Sequence, residues 1–204
     1  MNGSCVVIVM SKAPIPGYAK TRLIPALGAV GAAGLASRLL EHAVTQALAA
    51  ELGPVDLCCT PDHAQIGFAS QAQRAGLVLS SQVEGDLGAR MSHAFDRWLP
   101  RSDRVLMIGT DAPAIDAALL QQAARALDQT DAVFVPAFDG GYALIGLRRL
   151  VPPLFTDMVW STVSVMAVTR DRLLAAGLQH TELAPVADID EPADLVHLPA
   201  GWLP

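Results

Sequence analysis

The sequence has few of the features that mark zinc sites, disulfide-stabilised secreted domains or membrane spans. It contains three cysteines and five histidines, none of them in an HExxH or CxxC pattern. The odd cysteine count, with Cys58 and Cys59 adjacent in an apolar run, predicts reduced core thiols in a cytoplasmic protein. The longest early apolar run has six residues. It is too short for a signal-peptide core or a bilayer span.

An excess of positive charge is absent as well. The chain has 14 Lys and Arg against 20 Asp and Glu, a net charge of −6. This balance argues against generic binding to nucleic acid or to an anionic membrane. The 52% apolar and 17% charged content is that of a globular protein. Its length suits one domain over residues 1–204. The sequence does not indicate an oligomeric state.

Apolar strand-like and helical segments alternate along the chain, which predicts a doubly wound, mostly parallel α/β sheet. The predicted strands are 5–10, 55–60, 77–80, 104–109, 132–137, 142–147 and 179–183. The predicted helices are 29–52, a weaker one at 63–75, one that ends at Trp98, 114–128, 165–176, and a last one that starts within 188–195.

The segment 11–25 directly follows the first predicted strand and carries a concentration of positive charge. Lys12, Lys20 and Arg22 fall within eleven positions, among three prolines and Gly17. Open α/β sheets bind ligands in loops at the carboxyl ends of their strands. Arginine and lysine at such a place are suited to a phosphate chain. A basic surface loop that binds nothing is the alternative, because the GxxxxGK[ST] signature is missing.

Acidic residues occur after another strand and before the last predicted helix. Asp111 comes directly after the strand 104–109, and Asp188 and Asp190 precede the last predicted helix. Carboxylates there suit Mg²⁺, which binds one or two protein carboxylates together with phosphate oxygens. Helix capping is the alternative for all three. Asp111 and Asp190 are the predicted metal pair, with Asp188 left open as the second ligand.

Two glycine-containing segments are weaker candidates. Gln82, Gly85 and Gly88 would offer an amide and small residues to a planar ligand at another strand end. The turn 139–142, with Gly141 and Tyr142, is typical of a hairpin. The alternative for Gln82, Gly85 and Gly88 is a loop that leads into a helix. The alternative for 139–142 is an ordinary turn without a ligand. Trp160 is more typical of a core residue than of a pocket.

Together these segments resemble the nucleotide-diphospho-sugar transferase superfamily, with its GT-A-type fold. The chain is most similar to a family of bacterial proteins classed as glycosyltransferases. The shared motifs are KxPxPGxxKTRL, QxxGDLGxRM, GxDxP, DGGYxLxGL, FxxMxWST and DIDxPxDL. They lie here at 12–23, 82–91, 109–113, 139–147, 155–162 and 188–195.

The resemblance implies roles for these residues. The segment 11–25, which we call the opening loop, would hold nucleotide phosphates. The motif at 82–91 would meet the base, and the DGGY turn would face the sugar or acceptor. The implied nucleotide-binding residues are Lys12, Gly17, Lys20, Arg22, Gln82, Gly85, Asp86, Gly141 and Tyr142. Asp111 and Asp190 would bind Mg²⁺ or Mn²⁺. Lys20, Arg22 and Asp111 would be the catalytic set.

The opening loop differs from the GGxGTR loop of sugar nucleotidyltransferases and looks more like the KxxSRL loop of phospholactate guanylyltransferase. Two reactions therefore stay open. One is glycosyl transfer from a nucleotide-sugar to a small-molecule acceptor. The other is nucleotidyl transfer from an NTP to a phosphorylated sugar or small acid, with release of pyrophosphate. A non-catalytic nucleotide sensor is a third reading. A hydrolase has no Ser-His or Cys-His pairing to support it.

Overall fold

The sheet has seven strands in the order β3-β2-β1-β4-β6-β5-β7. The computed structural model describes residues 4–203, except the side chain of residue 66. The strands are β1 (Cys5–Lys12), β2 (Val55–Thr60), β3 (Leu77–Ser81), β4 (Arg104–Ile108), β5 (Ala132–Pro136), β6 (Tyr142–Leu147) and β7 (His180–Glu182). The α-helices are α1 (Ile24–Ala49), α2 (Leu87–Trp98), α3 (Ala117–Ala126) and α4 (Val165–Ala175).

The predicted mostly parallel α/β sheet is confirmed. Strand β1 pairs in parallel with both β2 and β4, β2 with β3, and β5 with β7. Strand β6 runs antiparallel to both of its neighbours. The chain first winds from β1 to β2 and β3, and β4 then returns to the other side of β1. The strand order therefore reverses between β1 and β4.

Strand β1 is buried on both faces because helices cover both sides of the sheet. Val7 and Val9 pack in the cluster that includes residues of α1 and α3. Val6 and Ile8 pack in the opposite cluster, with residues of α2 and α4. This alternation follows from the two-residue period of a strand. The same period places the buried, unpaired thiols of Cys58 and Cys59 on opposite faces, as predicted.

Two predicted helices differ from the structure. At 63–75 the chain forms only a short 3₁₀ turn, Ile66–Phe68, and further turns. Tertiary contacts decide this segment: a Cβ on Gly67 would lie 2.7 Å from Pro14 Cδ, and Gln71 donates a hydrogen bond to Glu41. The last helix is a 3₁₀ helix, Pro192–His197.

Helix α1 begins before the predicted start at residue 29. Gly28 has φ 69° and ψ 165°, outside the helical region, and separates a short first turn from the main part of the helix. Among the described residues, Thr21–Ala49 is long and apolar enough to span a bilayer by length and composition, with mean hydropathy 1.6. Leu35, Leu39 and Val44 of this helix are buried. The absence of a membrane span and the cytoplasmic location stay predictions.

A buried carboxylate ties α2 to the sheet. Asp56 on β2 is fully buried and accepts hydrogen bonds from Ser80 (2.6 Å), Trp98 Nε1 (2.6 Å) and Arg97 (3.2 Å). These contacts join β2, β3 and the carboxyl-terminal turn of α2. Because a buried charge is costly without partners, this network fixes where α2 lies on the sheet.

Replacement of Asp56 by alanine is expected to lower the free energy of unfolding by about 3 kcal/mol, because Arg97 and the Trp98 indole lose a buried acceptor. Urea denaturation followed by circular dichroism measures the change. The matched control is Asp128→Ala, which removes the ion pair of a half-exposed carboxylate with Arg104 and should cost less than about 1 kcal/mol. Equal losses in the two variants would contradict a structural role for the Asp56 network.

Candidate functional site

A cleft of about 550 Å³ opens at the carboxyl ends of β1 and β4. This is where the strand order reverses, and open α/β sheets bind ligands at such reversals. The cleft is lined by residues of the opening loop 11–25, the end of β4, the start of α2, the turn 139–142, the loop 155–164 and the segment 186–190. Segments far apart in sequence therefore share one cavity.

The ammonium group of Lys20 lies among three oxygen ligands in this cleft. It forms ion pairs with Asp111 Oδ1 and with Asp190 Oδ1, the latter at 2.8 Å, and it donates a hydrogen bond to the carbonyl of Ile189 at 2.6 Å. The Lys20 side chain is 8% exposed, whereas the two carboxylates are nearly half exposed. One cation thus connects the opening loop, the end of β4 and the carboxyl-terminal segment.

The surrounding backbone holds this arrangement in place. Lys20 adopts the left-handed conformation, with φ 50°. Its carbonyl accepts a hydrogen bond from Leu23, and the side chains of Leu23 and Ile189 share one buried cluster. The amide of Ile189 donates to the carbonyl of Asp111 at 2.8 Å. A non-glycine residue in a strained conformation at a cleft is typical of functional sites.

The charge environment determines the protonation state of Lys20. Burial by itself lowers the pKa of this side chain, but the charges of Asp111 and Asp190 and their hydrogen bonds outweigh burial and raise it. Lys20 is therefore a firmly charged cation at neutral pH. It is not a candidate for a neutral general base.

The other basic residues of the opening loop are more exposed. The Lys12 ammonium lies 5.9 Å from the centre of the Tyr18 ring, a cation–π contact. Arg22 is 62% exposed and lies 3.8 Å from Glu191. Both line the cleft, so their charged groups are available to a ligand there. Arg90 of α2 also lines the cleft, and its Nε donates to the carbonyl of Gly85.

Gln82 is less free than the sequence suggests. Its amide nitrogen donates to the carbonyls of Cys58 at 2.9 Å and Ser11 at 3.4 Å. Only its Oε1 is left to accept a hydrogen bond from a ligand. Asp86 is the N-cap of α2, because its side chain accepts from the amide of Ala89. The contact that the structure shows for Asp86 is therefore a helix cap.

Residues of the turn 139–142, of the loop 160–163 and Asp188 also line the cleft, and we call these three parts together the acidic wall. The turn packs on the loop so closely that a Cβ on Gly140 would collide with the carbonyl of Val163. Tyr142 and Trp160 line the cleft, and the Tyr142 hydroxyl and the Trp160 Nε1 are buried with no hydrogen-bond partner among the described residues. Buried donors without a partner are rare in folded proteins.

Asp188 is the most perturbed carboxyl group of the acidic wall. Burial, followed by the negative charges of Asp139 and Asp190, raises its pKa to about 6. The negative charges of neighbouring acids thus disfavour the ionised form of Asp188.

Helix capping does not explain Asp111, Asp188 or Asp190. The N-cap of α3 is Asp116, and the 3₁₀ helix 192–197 is capped by Glu191 together with Asp194. Asp111 and Asp190 instead bind the Lys20 ammonium. Asp111 and Asp190, which are distant in sequence, therefore lie together at one ammonium group.

The cleft brings together most of the sequence-predicted site residues. Those that line it are Lys12, Lys20, Arg22, Gln82, Asp111, Gly141, Tyr142 and Asp190. Gly17, Gly85 and Asp86 lie outside its lining. The functional roles of all of them stay predictions.

The cleft also contains residues that were not among the predicted site residues. They are Arg90, Asp139 and Trp160, and the cleft contains Asp188 as well, which the sequence left open as a metal ligand. Arg90, Asp139 and Trp160 belong to motifs of the resemblance. Nothing in their spacing indicates that they face one cavity.

Residues 43–162 match the family described as "Uncharacterized protein conserved in bacteria (DUF2064)". This match covers more than half of the chain. The protein belongs to the DUF2064 family.

Among the structures similar to this DUF2064 protein is one from Desulfovibrio desulfuricans G20, described as a "putative nucleotide-diphospho-sugar transferase". It is 31% identical, with a TM-score of 0.86 over 94% of this chain and 84% of that one. Rv0371c from Mycobacterium tuberculosis H37Rv, solved in complex with manganese, is 15% identical, with a TM-score of 0.58 over 100% and 99% of the two chains. The fold is therefore that of the nucleotide-diphospho-sugar transferases, of GT-A type.

A curated relative is 2-phospho-L-lactate guanylyltransferase from Methanothermobacter thermautotrophicus. The two sequences are 33% identical over 150 residues, which is 71% of this chain and 62% of the relative. The DUF2064 chain thus spans less than two thirds of the length of that enzyme. The Desulfovibrio and Methanothermobacter proteins both carry transferase names.

Replacement of Gly88 by alanine tests how closely α2 is packed on the acidic wall. A Cβ there would collide with the carbonyl of Phe155 and lie 3.0 Å from the Trp160 Nε1. We expect a loss of about 1–3 kcal/mol in the free energy of unfolding, because the backbone of two segments has to move. The control is Gly34→Ala on α1, where no atom of another part of the described chain lies within 4 Å of the new methyl group. Helix propensity predicts a gain of up to about 1 kcal/mol there. Chemical denaturation of both variants measures the two changes in the free energy of unfolding. An unchanged value in Gly88→Ala would contradict this packing.

Proposed function

We propose that this DUF2064 protein is a divalent-metal-dependent glycosyltransferase that uses a nucleotide-sugar. The observation that carries the proposal is the placement of the Lys20 ammonium between Asp111 and Asp190, at the strand-order reversal and inside the cleft. Two carboxylates and a basic loop at one point are the components that hold a metal–phosphate group.

The donor set fits Mg²⁺ or Mn²⁺. Asp111 and Asp190 already bind one cation, the Lys20 ammonium, and their carboxylates are nearly half exposed to the cleft. No group of three or more His, Cys, Asp or Glu within the described residues could hold a metal ion. A two-carboxylate site agrees with a metal that completes its coordination with water and phosphate oxygens. When bound, the metal would neutralise negative charge on a departing diphosphate.

Lys12, Lys20 and Arg22 are proposed to bind the phosphates. All three line the cleft. Within the described part of the chain, Lys12 contacts the Tyr18 ring and Arg22 lies 3.8 Å from Glu191, and both of these contacts are weak. A planar guanidinium binds two phosphate oxygens at once, and ammonium groups add point charges. Catalysis of this kind depends mainly on positioning and on electrostatic stabilisation of the leaving group.

The charge distribution of the cleft favours glycosyl transfer. The basic residues of its lining, Lys12, Lys20, Arg22 and Arg90, all come from the opening loop or from α2. Among the described residues, the acidic wall contributes no lysine or arginine to the lining. A second phosphate would be repelled by the carboxylates there, whereas a neutral hydroxyl-bearing acceptor would find them as hydrogen-bond acceptors.

In the proposed reaction, the bond between the anomeric carbon and the terminal phosphate oxygen of the donor breaks. The nucleoside diphosphate leaves with the electron pair, held by the basic loop. The acceptor oxygen bonds to the anomeric carbon, and its proton passes to Asp139 or Asp188 of the acidic wall. Negative charge therefore develops on the departing diphosphate, beside the basic residues, while an acid of the acidic wall takes the proton of the acceptor.

Nucleotidyl transfer is the second candidate. The observation that favours it is the 33% identity with a guanylyltransferase over 150 residues. In this reaction an acceptor oxygen would attack the α-phosphate of an NTP, and pyrophosphate would leave. The same loop and metal pair would serve, because both reactions need phosphates neutralised at one point.

The product distinguishes the two reactions. The protein is incubated with Mg²⁺ and UDP- or GDP-sugars plus neutral sugar acceptors, and separately with NTPs plus sugar phosphates. Release of free nucleoside diphosphate supports the proposal, and release of pyrophosphate supports nucleotidyl transfer instead. Nucleotide binding without either product, and without a requirement for Mg²⁺, would favour a non-catalytic sensor and contradict both.

Replacement of Asp111 by asparagine is expected to lower kcat/KM at least about 100-fold, because the side chain loses the charge that binds the metal. The measurement is the initial rate with the substrate pair that the product assay identifies. The matched control is Asp96→Asn, an exposed acid of α2 outside the cleft lining, which should keep the wild-type rate. Full activity of Asp111→Asn would contradict a metal-binding role for this residue.

A further inference from the structure

We propose that Lys20 occupies the metal site when no nucleotide is bound, so that metal and nucleotide enter the cleft together. The inference rests on the proposed function, because it takes Asp111 and Asp190 as the metal-binding pair. It concerns a step before any transfer, the loading of the site.

The oxygen ligands around the Lys20 ammonium are those that a hard divalent cation prefers. They comprise two carboxylate oxygens, from Asp111 and Asp190, and the carbonyl oxygen of Ile189. Both Asp111 and Asp190 contact the ammonium through Oδ1. A divalent ion bound by the same oxygens would have to displace the ammonium, because two cations cannot share them without strong repulsion.

The displaced side chain would be unfavourably placed without a nucleotide. Lys20 comes from a loop whose backbone is held by Leu23 in the buried cluster that also contains Ile189. Its ammonium therefore has to stay near the cleft after it leaves the carboxylates. There the ammonium would lie beside the incoming metal ion and would have fewer anionic partners than before. Repulsion between the two cations and the loss of partners would both oppose metal binding.

The diphosphate group of a bound nucleotide would remove this electrostatic cost. Its phosphate oxygens offer the ammonium of Lys20 a new anionic partner on the side of the cleft where Lys12 and Arg22 lie. The metal then binds the vacated carboxylates and the phosphates at once. Metal and nucleotide thus strengthen each other's binding, and linkage requires this effect to be reciprocal. Without a nucleotide, Lys20 would therefore keep a free metal ion out of the site.

The test is Mn²⁺ binding to the nucleotide-free protein, measured from the loss of the free Mn²⁺ signal in electron paramagnetic resonance. We expect Lys20→Met to bind Mn²⁺ at least about tenfold more tightly than the wild type, because the competing cation is gone. Addition of Asp190→Asn to Lys20→Met should reverse the gain, since one of the two carboxylates is then neutral. Circular dichroism and thermal melting establish that each variant is folded.

Lys12→Met is the matched control. It removes one positive charge from the same cleft, but the Lys12 ammonium lies against the Tyr18 ring, and no ion pair with a carboxylate is present there within the described residues. A general gain in negative potential would strengthen Mn²⁺ binding equally in both variants, whereas displacement predicts a gain only in Lys20→Met. Equal effects in both variants, or unchanged or weaker binding in folded Lys20→Met, would overturn the inference.

This experiment is independent of turnover. A protein that releases neither nucleoside diphosphate nor pyrophosphate can still show the Lys20-specific change in Mn²⁺ affinity, in which case the metal site stands and the proposed reaction fails. An active transferase whose Lys20→Met variant binds Mn²⁺ like the wild type would keep the proposed function and lose the inference.

Discussion

The contact of one ammonium group with two carboxylates organises the cleft. Lys20 joins the opening loop to Asp111 at the end of β4 and to Asp190 in the carboxyl-terminal segment. Because the lysine is almost fully buried, its charge has to be matched by these acids, and the three chain segments are held at one point. The amide of Ile189, bonded to the carbonyl of Asp111, reinforces the same junction. These contacts fix the shape of the cleft at this point.

The charged residues of the cleft come from different segments. The lysines and arginines come from the opening loop and α2, and the acids come from the end of β4, the turn 139–142 and the segment 186–190. The two signs meet at Lys20, whose ammonium pairs with Asp111 and Asp190. In the proposed reaction the basic residues hold the phosphate-bearing donor, and the acidic wall receives an uncharged acceptor.

The sheet topology determines why these groups meet. The reversal of strand order between β1 and β4 leaves a crevice at their carboxyl ends, and both the opening loop and Asp111 leave the sheet there. The antiparallel pair β5 and β6 then turns the chain back at 139–141, so that this turn faces the same crevice. A buried network around Asp56 fixes α2 on the sheet and with it the position of Arg90.

The sequence by itself determined the sheet type, most strand positions, the buried thiols and the cation- and acid-bearing segments, because these follow from local periodicity and from strand ends. It was wrong about a helix at 63–75, where contacts of Gly67 with Pro14 and of Gln71 with Glu41 outweigh a weak helical pattern. It also left capping open for Asp111 and Asp190. Only the tertiary structure decided that both carboxylates bind Lys20 and that Asp139, Asp188 and Trp160 face the same cleft. Their meeting depends on how distant segments pack, and no local pattern records that packing.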